Sequence, residues 1–159
     1  MVSTKSTLLA LAATLTTASA AGNARVINHC PFPVTLWSVG GSISGPSTLA
    51  ANTGTYSEPY VRDPTTGGKA IKITRAPDGL YNGSPQLNFA YSLDGATIWY
   101  DLSSVFGDVF AGKKLVVADI AGTCPSIVWP TGTNPGGSQV KACTSSKDIA
   151  LVLCAEGQW

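Results

Sequence analysis

The sequence predicts an all-β fold, a single-domain β-sandwich or flattened barrel held by two disulfides, with little or no helix beyond a leader. Three observations predict it. Short stretches of β-branched, aliphatic and aromatic residues alternate with polar ones at period two and are bounded by turn residues, the pattern of half-buried strands. Only 12% of the residues are charged while Gly and Pro number 17 and 10. With apolar runs interleaved, that balance suits a β-protein with many turns rather than a disordered chain. Four cysteines follow an export signal, and in an exported chain they signify two disulfides more readily than a metal site.

Residues 1–20 read as a signal peptide, with Lys5 in the charged region, LLALAATL as the apolar core and Ala18-Ser19-Ala20 as the cleavage pattern. That apolar run is well short of the ~20 residues that span a bilayer. The mature domain is therefore expected over 21–159, secreted, extracellular or wall-associated, and without membrane insertion. Ten Lys and Arg face nine Asp and Glu, and losing Lys5 makes them equal. No basic excess marks a nucleic-acid partner.

Residues 24–29 (ARVINH) and 32–37 (FPVTLW) read as two adjacent strands joined by a tight turn at Cys30-Pro31, with Val26, Val34 and Leu36 as core candidates. Residues 40–52 read as a Gly/Ser loop. Strands are then expected at 56–62, 69–75 (KAIKITR), 86–92 (QLNFAYS) and 97–101 (TIWYD), the last two joined by an Asp94-Gly95 hairpin turn. Residues 102–106 read as a single helical turn capped by Asp101. The apolar strand 114–120 (KLVVADI), an exposed loop at 131–138 and a closing central strand at 149–154 (IALVLC) complete about eight strands. Trp159 is expected to be mobile at the terminus.

Four cysteines allow three pairings. Cys30–Cys154 with Cys124–Cys143 is favoured, because the two neighbours in the last third meet without threading the chain. Metal ligands are expected to be none: no C-x-x-C or H-x-x-x-H occurs, and His29 is the single histidine. Asn82-Gly83-Ser84 is a glycosylation sequon, with Pro85 behind it.

These segments resemble the small fungal thaumatin-like proteins, the CetA-like family that includes the Blastomyces yeast-phase-specific proteins. RVINHCPFPVTLW (25–37) is similar to the first hairpin of that family and GGKAIKIT (67–74) to its Gly-rich strand entry. QLNF (86–89) and WYDLS (99–103) resemble its central "E-F … Y-D-V-S" region, and ALVLC (150–154) its closing strand. The resemblance implies a thaumatin-like β-sandwich without a large disulfide-rich second domain. It supports the Cys30–Cys154 bond and an association with the wall, growth phase, germination, antigenicity or adhesion.

The resemblance also frames a glucan-cleaving cleft. Glycoside hydrolysis takes two carboxyls about 5–5.5 Å apart with retention or about 6.5–9.5 Å apart with inversion. Asp101 matches the Asp of "Y-D-V-S". The Glu of "E-F" falls on Asn88, which cannot act as a general acid, and the next cleft Asp falls on Phe106. Catalytic residues are therefore expected to be none and cofactors none, with weak β-1,3-glucan hydrolysis by Asp101 plus Asp94 or Asp108 as the alternative. Other catalytic patterns are absent: Ile43 occupies the centre of Gly41–Gly45 where a serine elbow needs Ser, and no phosphate-loop Lys follows a Gly-rich turn.

A binding role fits what remains, with Trp37, Trp99, Tyr56, Tyr60, Tyr91 and Tyr100 as aromatics for a sugar-stacking or protein-binding face. Core packing is the common fate of a strand aromatic. If Ile98 points inward, however, Trp99 emerges beside Asp101. The candidate ligand-binding residues are Asp101, Trp99, Asp94 and Asp108. The expected partner is cell-wall polysaccharide (β-glucan) or a host surface protein, met by a monomer, and an effector acting on host tissue is the further alternative.

Overall fold

The computed structural model describes residues 20–157; the expected leader and Trp159 lie outside the described residues. Eleven strands are present: β1 (Asn23–Asn28), β2 (Val34–Val39), β3 (Ile43–Leu49), β4 (Gly54–Pro59), β5 (Lys69–Thr74), β6 (Gln86–Asp94), β7 (Thr97–Val105), β8 (Leu115–Ala118), β9 (Ile127–Trp129), β10 (Lys141–Thr144) and β11 (Ile149–Leu153). They form a five-stranded sheet, β4-β1-β11-β8-β9, and a six-stranded sheet, β10-β7-β6-β5-β2-β3. This is the expected all-β sandwich.

Period-two patterning explains how the sheets face each other. Val26, Leu151 and Val117 from one sheet meet Leu36, Ile71, Phe89 and Tyr100 from the other, all buried in one apolar cluster. The closing strand β11 is central, pairing parallel with β1 and antiparallel with β8. Cys30–Cys154 bonds just beyond the ends of β1 and β11, and Cys124–Cys143 ties the β9 approach to β10 across the open side.

Three local readings are corrected. The stretches 24–29 and 32–37 are not a hairpin: β1 and β2 belong to different sheets. Pro31 and Pro33 lack the N–H groups a tight ladder needs. The crossover is instead organised by Asn28, whose Nδ2 donates to Phe32 O and Ala50 O, both at 3.0 Å, while its Oδ1 accepts from Cys30 N. The stretch 40–52 contains an edge strand, β3, whose first four residues are exposed. Its composition is polar because an edge strand with one open face needs no apolar run. Residues 102–106 are not a helical turn. β7 continues to Val105, and Leu102 is buried as the next inward residue of its alternation. β9 and β10 were not expected at all; they are three and four residues long, too short to show a period.

Candidate functional site

On β7, Ile98, Tyr100 and Leu102 point into the core, so Trp99, Asp101 and Ser103 line the outer face of the six-stranded sheet. Trp99 is 47% exposed, against 1% or less for its three inward neighbours. In register, Trp99 faces Ser92 and Ala142, and Asp101 faces Ala90. Trp99, Asp101, Ala90 and Ser92 form the floor of an open depression of about 370 Å³ that Arg62 and Val140 also line.

The wall over 62–68 is set by one carboxylate. Asp63 accepts backbone N–H bonds from Gly41, Thr65 and Thr66, each at 2.9 Å. These bonds, that from Thr66 foremost, draw its pKa down to about 2. Ser92 Oγ donates to Gly67 O at 2.9 Å, closing the wall onto the sheet. The rim ion pair of Arg62 with Asp94, at 3.8 Å with both side chains exposed, contributes little.

Asp101 differs from Asp63. Burial pushes its carboxyl up, and the Leu102 N–H offsets this only in part. A half-covered carboxyl beside an indole face suits hydrogen bonding to a hydroxylated ligand that stacks on the ring.

The three candidate carboxylates do not converge. Asp94 pairs with Thr97 at one end of the β6–β7 hairpin, whereas Asp101 lies four residues further along β7, about 13 Å away at strand rise. Asp108 lies past the opposite end, where its Oδ1 accepts from Ser104 Oγ at 2.7 Å. The position diagonal to Asp101 on the same face, about 7–8 Å away, belongs to Asn88. That spacing would suit a catalytic pair, but the residue is an amide, buried and accepting from Gln86 Nε2 at 2.7 Å. Asp101 is in mid-strand and caps no turn.

Of the aromatics expected on a binding face, only Trp99 is exposed. Trp37, Tyr60, Tyr91 and Tyr100 are buried. Tyr56 and Tyr91 donate to Glu58 at 2.9 and 2.7 Å, with Ser38 as a third donor at 3.1 Å, fixing that carboxylate between the sheets. Burial, reinforced by Glu58, pushes the Tyr56 phenol up to about 12. Trp37 lies on the outer face of its sheet yet is roofed by the 75–85 loop, with Tyr81 edge-on at 6.3 Å. Gly79 allows that roof to close, since a Cβ there would come within 2.4 Å of Thr74 Oγ1. The sequence reading missed two exposed aromatics, Tyr81 (71%) and Phe106 (72%). Tyr81 lies within the turns of the 75–85 loop and Phe106 just past the end of β7, and strand alternation carries no signal for such positions. Asn82 is exposed on the same loop, its Oδ1 accepting from Ser84 N and Oγ at 3.0 and 2.6 Å. His29 lines a separate depression with Asn52, Cys154 and Glu156, its backbone N–H donating to Leu153 O.

Known proteins are similar to this chain in sequence or in fold. The chain is 32% identical to the secreted thaumatin-like protein calA of Emericella nidulans, over 92% of this chain and 95% of the relative. It is also 32% identical to the antigenic thaumatin-like protein of Arthroderma benhamiae, over 94% of this chain and 81% of the relative. The crystal structure of the protein elicitor MoHrip2 from Magnaporthe oryzae superposes with a TM-score of 0.69, covering 85% of this chain and all of that one; at 24% identity the likeness is one of fold. The Blastomyces yeast-phase-specific protein model matches residues 11–155, and the chain belongs to that family of secreted fungal thaumatin-like proteins.

Proposed function

We propose that this secreted protein acts by binding neutral wall polysaccharide, β-glucan in the first place, at the Trp99 depression, and that it does not cleave what it binds. The observation that carries the reading is the exposed Trp99 indole beside a half-buried Asp101 on a floor of small residues. An aromatic face takes the C–H side of a sugar ring while the carboxyl accepts from its hydroxyls. The diagonal amide at Asn88 leaves Asp101 without the second carboxyl that hydrolysis requires.

Incubation with insoluble β-1,3-glucan and with laminarin tests both halves. The protein is expected to sediment with the glucan, to lose that property in Trp99→Ala, and to release no reducing ends. Reducing-end release that disappears in Asp101→Asn sinks the binding-only reading. A host-facing role is the second reading, favoured by the relative named as antigenic. Staining of host cells by labelled protein that glucan does not compete away would favour it over the wall.

A further inference from the structure

At the far end of the same hairpin a second depression, of about 410 Å³, opens between the loop before β6 and the loop after β7. Arg75 and Asp108 contribute its charged groups, Ser84 a hydroxyl, and Pro85 and Val109 its apolar surface. The opposite charges form no ion pair with each other. Arg75 is held with its Cζ 4.0 Å over the Phe32 ring, which in turn stacks on Phe110 at 6.4 Å. Asp108 is steered by Ser104, which bonds to Oδ1 alone. Among the described residues, Oδ2 of Asp108 and the Arg75 guanidinium keep their hydrogen-bonding capacity for something else.

A fixed donor in Arg75, a fixed acceptor in Asp108, the Ser84 hydroxyl oxygen, which donates to Asn82 Oδ1 and so can accept from a ligand, and two apolar walls match the vicinal hydroxyls and C–H edges of a pyranose. They do not match a simple anion, which the Asp108 carboxylate would repel. Two residues before Asp108 in the chain, Phe106 is 72% exposed and at φ 60, a left-handed conformation seldom adopted by a bulky residue. The next residue, Gly107, lies close to Pro85. The outward row of β7 links the two depressions: Asp101, Ser103 and Val105 span four residues, about 13 Å at strand rise.

We propose that the Arg75–Asp108 depression is a second sugar subsite, engaged by a polysaccharide strand that runs along the outer row of β7 from Trp99. The inference rests on the reading of the Trp99 depression as a carbohydrate site. Titration calorimetry with β-1,3-linked gluco-oligosaccharides, from disaccharide to hexasaccharide, tests it. Affinity rises with length until both subsites are filled. Arg75→Gln, which removes the charge and shortens the side chain, and the isosteric Asp108→Asn each lower hexasaccharide affinity about tenfold, the worth of one charge-assisted hydrogen bond, and leave trisaccharide affinity unchanged. Trp99→Ala lowers both. If the hexasaccharide binds Arg75→Gln and Asp108→Asn as tightly as the unaltered protein, the second subsite is wrong while the Trp99 reading stands. If the unaltered protein binds no oligosaccharide of any length, both fall.

Discussion

In the five-stranded sheet the central strand β11 is buried along its whole length, on both faces. In the six-stranded sheet β7 is buried on one face only, and Trp99 and Asp101 stand on the other. The first sheet is joined end to end by Cys30–Cys154, which closes a separation of 124 residues. Cys124–Cys143, with a separation of 19, links the segment leading into β9 of the first sheet to β10 at the edge of the second. The difference separates stability from recognition in space. Residues that hold the fold point inward or lie on β11, and residues proposed to meet a ligand share one outer face. Substitutions can therefore move one property without the other.

The largest expected effect is on the stapled sheet. In the loop-entropy picture the Cys30–Cys154 bond contributes about 5 kcal/mol and the Cys124–Cys143 bond about 3 kcal/mol. Replacing Cys30 and Cys154 by Ala should lower the melting temperature by about 10–20 °C, measured by scanning calorimetry. The Cys124, Cys143 double variant should fall by less. Equal losses would break the comparison, because the closing of first to last strand would then add nothing special.

Next in size is a contrast within β7 itself. Leu102→Ala removes a fully buried side chain and should cost about 2–5 kcal/mol. Trp99→Ala, three residues away on the other face, should cost about 1 kcal/mol or less while abolishing glucan sedimentation. Denaturant unfolding read alongside sedimentation checks both. A large stability loss in Trp99→Ala would place that indole with the core rather than with the ligand.

The same contrast shows what the sequence made legible. Alternation in TIWYD put Ile98 and Tyr100 on one face and Trp99 with Asp101 on the other, and packing of the sheets then decides that the first face is the buried one. Alternation was silent about Leu102-Ser103-Ser104, where small polar residues on both sides of Leu102 look like a turn, and only pairing with β6 extends the strand. The fate of Trp37 was hidden for another reason. Its strand parity points outward, and only the roof formed by 75–85, 38 or more residues along the chain from it, buries it. Chain order favoured the cysteine pairing and the family resemblance supported it, whereas the Arg75–Asp108 depression joins two loops whose approach no local pattern encodes.

A smaller effect concerns the wall of the site. The folded Asp63 carboxyl has a pKa of about 2 against an ordinary value of about 3.9. Because the folded value is the lower, its stabilising contribution is full above the ordinary value and is lost as pH falls through about 2. The melting temperature of the unaltered protein should drop more steeply between about pH 4 and pH 2 than that of Asp63→Asn. Parallel curves would show that the 62–68 wall holds without this carboxylate.

The smallest effect has the opposite sign and bears most directly on the site. Burial raises the Asp101 carboxyl, so ionisation is harder in the folded chain than in the unfolded one. The charge therefore destabilises the fold above the folded pKa, and this penalty disappears below the unfolded value, where both states are protonated. Asp101→Asn should melt slightly higher than the unaltered protein at neutral pH and at the same temperature in acid. It should also bind glucan more weakly, since an amide oxygen accepts less strongly than a carboxylate. A residue kept for stability would behave in the reverse way, its loss lowering the melting temperature. A carboxylate that costs the fold, and that we propose serves a ligand, is what would distinguish the outer face of β7 from the sheet stapled by Cys30 and Cys154.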